Sequence, residues 1–156
     1  MIRIASLAAL LLAAEPAVAQ EAPPARPKRT LISVGYGPDF GLFVETPLAN
    51  PGPTVEAWVW NILSAPKQIP GATFDMTVSR ERIDCAGWTR TQLYTDGFLG
   101  EAHLGRTPGG VRGEPLSGAN EAVAGIVCGR VDVSKDAPIA DVAAARALTA
   151  AHFKPQ

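Results

Sequence analysis

The sequence predicts an α+β fold: an antiparallel β-sheet with a short disulfide-linked flanking helix and a C-terminal helix. Three observations predict it. Gly and Pro are frequent, 15 and 14 in 156 residues, and they recur through 35–53 and 105–118 as punctuation between short β-prone pieces. That frequency argues against a helical bundle. Several runs are rich in β-branched and aromatic residues, and two late runs carry helical spacing instead. No internal repeat is present.

Taken in order, the chain opens MIRIASLAALLLAAEPAVAQ. Arg3 precedes an apolar run from Ile4 to Ala14, and Ala17-Val18-Ala19 supplies small residues at a cleavage site. This is the layout of a secretory signal peptide over 1–19. The run is too short for a permanent membrane anchor, which needs roughly 20 residues. No later stretch is long and apolar enough to span a bilayer, so no integral membrane segment is expected after cleavage. The mature chain is expected to start near Gln20, with a flexible proline-rich leader, QEAPPARPKR, over 20–29. A periplasmic or secreted setting follows. The body is expected to be one domain over 30–132, followed by a C-terminal helix and tail over 133–156.

Thr30 to Val34 and Leu42 to Glu45 read as short strands around a turn, GYGPDFG. That turn fails as a phosphate loop, because G-x-G-x-x-G needs glycine where Phe40 stands. Thr54 to Leu63 is the clearest long strand, bounded by Pro53 and Pro66. Trp58 and Trp60 share one of its faces, and Val55, Ala57, Val59 and Leu63 share the other. Apolar groups on both faces predict a strand covered on both sides, or tryptophans that meet a groove or a partner. Phe74 to Cys85 reads as a further strand whose alternation changes phase, which calls for a bulge between Ser79 and Arg82.

Asp96-Gly97 suits a two-residue hairpin turn. It would set Leu93 opposite Gly100, Thr91 opposite Ala102 and Arg90 opposite His103. Residues 105 to 117 read as a loop. Ser117 fits a helix N-cap, with Ala119, Ala122, Val123, Ile126 and Val127 at helical spacing and Gly129 at the C′ position. A last helix is expected from Ala137 to about Phe153, with Pro138 in its first turn and a weak, mostly alanine stripe.

Cys85 and Cys128 are the chain's two cysteines. An even pair in an oxidising compartment is usually a disulfide. Closing a loop of about 44 residues would contribute on the order of 4 kcal/mol in the chain-entropy model. Two other chemistries are open to these thiols. A metal site would need His103 and His152, which show no ligand spacing with the cysteines. A thiol nucleophile would need a free thiolate and a base such as His103. Neither a metal nor a cofactor is expected.

Lys and Arg number 14 against 15 acids, so there is no basic excess and nucleic-acid binding is not expected. Hydrolase, zincin and phosphate-loop signatures are absent from the sequence. The expectation is therefore a non-enzymatic exported module, either protein-binding or envelope-associated. Its candidate contact residues are Trp60, Trp88, Tyr94 and Arg90, since aromatics and arginine dominate interface hot spots. The alternative is a small periplasmic enzyme using His103 as base with Glu81, Asp84 or Glu101. An open antiparallel sheet also offers edges for a homodimer.

One ordered set of short motifs spans roughly half the mature chain: Trp58-Val59-Trp60, Ile83-Asp84-Cys85, Tyr94 to Gly97, and Ala122 to Gly129. In this order, with these cysteine positions, the chain resembles the surface-adhesin protein E family of Gram-negative bacteria. The resemblance implies an antiparallel sheet with a flanking helix, Cys85 and Cys128 linked as structural residues, and a cell-surface or periplasmic setting. It also implies dimers and binding to host matrix proteins. The chain departs from the pattern in lacking a lipidation cysteine and in carrying the extra C-terminal helix.

Overall fold

The computed structural model describes residues 29–49 and 52–154. The expected signal peptide and all but the last residue of the leader lie outside the described residues. The strands are β1 (Thr30–Tyr36), β2 (Phe40–Thr46), β3 (Thr54–Ile69), β4 (Ala72–Asp84), β5 (Thr89–Leu99), β6 (Ala102–Pro108) and the two-residue β7 (Glu114–Pro115). The helices are α1 (Gly118–Val127) and α2 (Val142–His152). The strands pair antiparallel in the order of the chain, β1 to β6, and β7 pairs with β5 on the same side as β6. The edge beyond β5 is thus one interrupted strand.

Strand alternation divides the apolar side chains between two faces. On one face Leu42, Val44, Val55, Ala57, Val59 and Ile83 pack against Val123, Ala124 and Val127 of α1. On the other, Leu31, Phe43, Trp60, Ile62, Met76 and Val78 pack around Ala145 of α2. The expectation that the central strand is covered on both sides holds, with a different helix on each side. The chain reaches the second face by passing the β1 edge. There Leu31 and Ile139 exchange both backbone hydrogen bonds, at 2.9 and 2.8 Å. That exchange pairs part of an edge that would otherwise be open.

Local chemistry explains where elements begin and end. The phase change in β4 is a register shift between Arg80 and Glu81 against β5, inside the expected bulge. β3 runs past its expected end to Ile69. Pro66 is tolerated because it falls in the irregular stretch between Ile62 and Lys67. Ser117 is the N-cap of α1 by backbone conformation but makes no side-chain cap bond. Gly129 takes the left-handed conformation just past the helix (φ 69°).

Three expectations are corrected. Residues 105 to 117, read as a loop, include the end of β6 and the short β7. The hairpin turn is at Gly100-Glu101, with Leu99 opposite Ala102, Phe98 opposite His103 and Asp96 opposite Arg106. Asp96 stays in the strand because its carboxylate is buried and paired with Arg106 across it. Gly100 supplies the left-handed backbone instead (φ 59°). The last helix starts at Val142, five residues later than expected. Ile139 is held extended by Leu31, and Asp141 caps the helix by accepting a bond from Ala144 N at 2.9 Å.

The stripe of α2 is sparse, since Ala145 and Thr149 are its buried residues. Small side chains let the helix lie close to the sheet at Gly41, where an added Cβ would overlap the Thr149 hydroxyl and the Phe43 ring. Gly41→Ala is expected to push α2 outward and cost about 1–3 kcal/mol. Urea unfolding of the variant beside the parent checks this, and equal midpoints would refute the tight approach. A fork from Arg146 to Asp75 (2.8 and 2.9 Å) and a bond to Gly100 O (3.0 Å) fix the helix to the end of the sheet.

Candidate functional site

The second helix covers the β1–β3 end of its face and does not reach the rest. Across the part it does not reach, neighbouring strands bring up alternating acids, guanidiniums and rings. Glu56 and Trp58 come from β3, Arg80 and Arg82 from β4, Tyr94 and Asp96 from β5, and His103 and Arg106 from β6. The register sets Trp58 opposite Arg80, Arg80 opposite Tyr94 and Asp96 opposite Arg106.

Each cation in this strip is oriented twice. Arg80 donates to Glu56 Oε2 through Nε (3.1 Å) and Nη2 (2.9 Å), and Arg82 donates to Oε1 through the same two atoms (3.1 and 2.8 Å). Arg106 forks onto Asp96 through Nε (2.8 Å) and Nη2 (2.9 Å). Rings hold two of the planes from below. The Arg80 guanidinium lies 4.9 Å from the Trp58 ring and that of Arg106 lies 3.8 Å from the Tyr94 ring. The rings themselves meet edge to face at 5.7 Å. Hydrogen bonds from Arg82 and then Arg80 hold the Glu56 carboxyl below its ordinary pKa. The bond to Asp96 raises that of Arg106. Both shifts favour the charged form of the group concerned.

Beside the strip, a cleft of about 380 Å³ opens where β2 and β3 diverge. Glu56, Trp58 and Arg80 form its shared wall, and Arg29, Glu45 and Leu48 lie opposite. Arg29 pairs with the buried Glu45 carboxylate.

The candidate contact residues are not brought together. Trp60 is 3% exposed and belongs to the core, so it offers no contact surface. Tyr94 lies in the strip. Arg90 is on the opposite face, between Glu81 (3.3 Å) and Glu114 (2.7 Å). Trp88 sits in the β4–β5 turn with a left-handed backbone (φ 51°), which costs a bulky residue on the order of 1–3 kcal/mol. Arg130 covers its ring at 3.7 Å and bonds Cys85 O at 3.0 Å. Cys85 and Cys128 are disulfide-bonded.

The catalytic candidates are also dispersed. His103 contacts Asp96 (3.2 Å), not Glu81, Asp84 or Glu101. Asp84 accepts from Ala86 N (3.0 Å) and Gly87 N (2.8 Å), a turn-forming role. Asp96 is 1% exposed and receives the Arg106 fork as well as the His103 contact. Among the described residues no group of His, Cys, Asp and Glu is placed to hold a metal ion. None of their helices is long and apolar enough to cross a membrane.

Sequence reasoning missed Glu56, Arg80, Arg82, Asp96 and Arg106 as site residues, and raised Trp58 only as one of two tryptophans that could meet a groove or a partner. A signal for part of the set was present. The run Arg80-Glu81-Arg82 puts two cations on one side of an otherwise apolar strand, and Glu56-x-Trp58 repeats that spacing on its neighbour.

Glu81 provides a pH prediction on the opposite face. Burial pushes its carboxyl above the ordinary 4.5, and the charge and hydrogen bonds of Arg90 offset this only in part. The folded form therefore holds this proton to higher pH than the unfolded form. This group's contribution to stability is full below about 4.5 and falls as pH rises toward the raised value. Glu81→Gln is expected to flatten the decline in that window. Urea midpoints measured from pH 4 to about 7 check it, and an unchanged slope would sink the assignment.

Compared with protein-family models, curated proteins and solved structures, the chain matches none of them.

Proposed function

We propose that this protein is an exported, non-enzymatic binding module that engages a protein partner through the arginine–aromatic strip on the part of its sheet that α2 does not reach. One observation carries the proposal. Guanidiniums stacked on Trp58 and Tyr94 are held at fixed angles by internal carboxylates, on a surface that α2 does not reach. Arginine and large aromatics are the residue types that concentrate binding energy at protein interfaces. A preformed arrangement loses less side-chain entropy when a partner docks. The disulfide is weakly compatible with an exported setting, because such bonds persist in oxidising compartments. The resemblance to the surface-adhesin protein E family points the same way.

A pull-down tests the surface. The mature protein, immobilised with its disulfide intact, is incubated with envelope extract, and recovered proteins are compared between parent, Tyr94→Ala and Trp88→Ala. Tyr94→Ala is expected to lose the specific partner at least 10-fold at unchanged circular dichroism, a loss of about 1.4 kcal/mol or more. Trp88→Ala, outside the strip, is expected to retain it. A Tyr94→Ala protein that keeps every interaction would dismiss the strip as the contact surface.

A further inference from the structure

We infer that the partner presents an acidic peptide segment, whose carboxylates dock on the outward ends of Arg80, Arg82 and Arg106; this rests on the strip being the contact surface. The internal acids take the same edge of all three guanidiniums, the one formed by Nε and Nη2. The Nη1 group of each lies outside those pairs. A guanidinium oriented in this way offers planar two-point donation, which matches a carboxylate. Arg82 and Arg106 are the more open, with side chains 52% and 50% exposed, and they flank Arg80 at 28%.

Charge selects the class of partner. Among the described residues of the strip, three guanidiniums face two carboxylates, Glu56 and Asp96, which leaves an excess of one positive charge. A nucleic-acid backbone or an anionic lipid surface is held by a run of cations not already neutralised. A small excess interleaved with Trp58 and Tyr94 instead fits a peptide with a few acids among apolar residues. Arg80 and Arg106 stand two strands apart, roughly 9–10 Å. Acids two residues apart in an extended chain share one face and stand about 6.6 Å apart at about 3.3 Å per residue, and the reach of their own side chains closes the remaining few ångströms.

The test uses the oxidised mature protein, labelled with ¹⁵N, and follows the arginine Nε–Hε signals by NMR. The probe is an acetylated and amidated decapeptide alternating Glu and Tyr. Its controls are the same peptide with Gln for Glu, inorganic phosphate, and phosphatidylcholine vesicles containing phosphatidylglycerol. The expected result is saturable shifts at Arg80, Arg82 and Arg106, at least 10-fold weaker with the Gln peptide, and at least 5-fold weaker in Arg82→Gln. Arg82→Gln leaves the Arg80–Glu56 pair in place, so it reads binding rather than folding. Equal binding of the Gln peptide, or saturation by phosphate or vesicles below the peptide's concentration, would overturn the inference. If the peptide fails while Tyr94→Ala still loses the captured partner, acidic recognition falls and the contact surface stands. If Tyr94→Ala loses nothing, both fall.

Discussion

Reduction of the Cys85–Cys128 bond is expected to lower stability by about 4 kcal/mol, because the bond closes a loop of 43 residues' separation in the unfolded chain. That is a large share of the roughly 5–15 kcal/mol that a typical domain possesses. Local consequences follow from what the bond joins. Cys128 is the C-cap of α1, and Cys85 follows the last residue of β4. With the bond cut, α1 keeps its apolar contacts to Val44, Val55 and Val59 but loses its covalent tie. The Trp88 turn should loosen as well, since its backbone strain is held by neighbours on both sides of the bond. Urea unfolding with and without dithiothreitol, beside a Cys85→Ser/Cys128→Ser double variant, measures the effect. Coincident curves for the oxidised and reduced forms would refute it. Intact mass after alkylation without reductant reports whether the protein under test carries the bond.

Phe43→Ala is expected to cost about 3–5 kcal/mol, the range for emptying a buried aromatic site. Phe43 is fully buried and lies directly across from Trp60 on β3. Its ring also forms part of the floor on which α2 rests near Gly41. The surroundings are poorly able to collapse into the space, because Trp60 and Leu31 are fixed by strands and the facing helix offers alanines. Unfolding midpoints and the near-ultraviolet signal of Trp60 check the prediction. A loss below about 1 kcal/mol would mean that the α2 layer is not an integral part of the core. Phe43→Leu, which keeps most of the volume, should recover much of the difference.

Much of the fold was legible because its determinants are local. Alternation in Thr54 to Leu63 named both faces of the central strand, and the phase change after Val78 located a bulge that is present at Arg80 and Glu81. Helical spacing from Ala119 to Val127, with Gly129 behind it, located α1. The cysteine pairing followed from compartment chemistry and not from any local geometry. What failed did so where a distant partner outweighed a local preference. Asp96-Gly97 has the composition of a tight turn, yet Arg106, ten positions on, holds Asp96 within the sheet. Ala137 to Asp141 could continue a helix, yet Leu31 draws Ile139 into a β-bridge.

The strip was illegible for the same reason. Its pairs join residues 24 and 26 positions apart, Glu56 with Arg80 and with Arg82. Such pairs are defined only once strand register is known. Trp60, taken from the sequence as a contact residue, and Trp58, not chosen as one, differ in burial: Trp60 belongs to the cluster around Ala145 of α2, and Trp58 is only partly buried against it. Both are on the same face of one strand, so alternation alone does not separate them.

The two helices are fastened to the sheet by unlike chemistry. One is locked by a bond that answers to electrons. The other is clamped by the Arg146–Asp75 fork, which answers to protons. Hydrogen bonding to Arg146 lowers the Asp75 pKa, so that clamp is whole above the ordinary 3.8 and releases as pH falls through the lowered value. Thiol reagents and acid therefore address opposite sides of the same sheet. Amide exchange should record this as two zones that lose protection independently. A reducing medium would loosen the α1 layer with the arginine strip undisturbed, and acid would first free the layer that borders the strip.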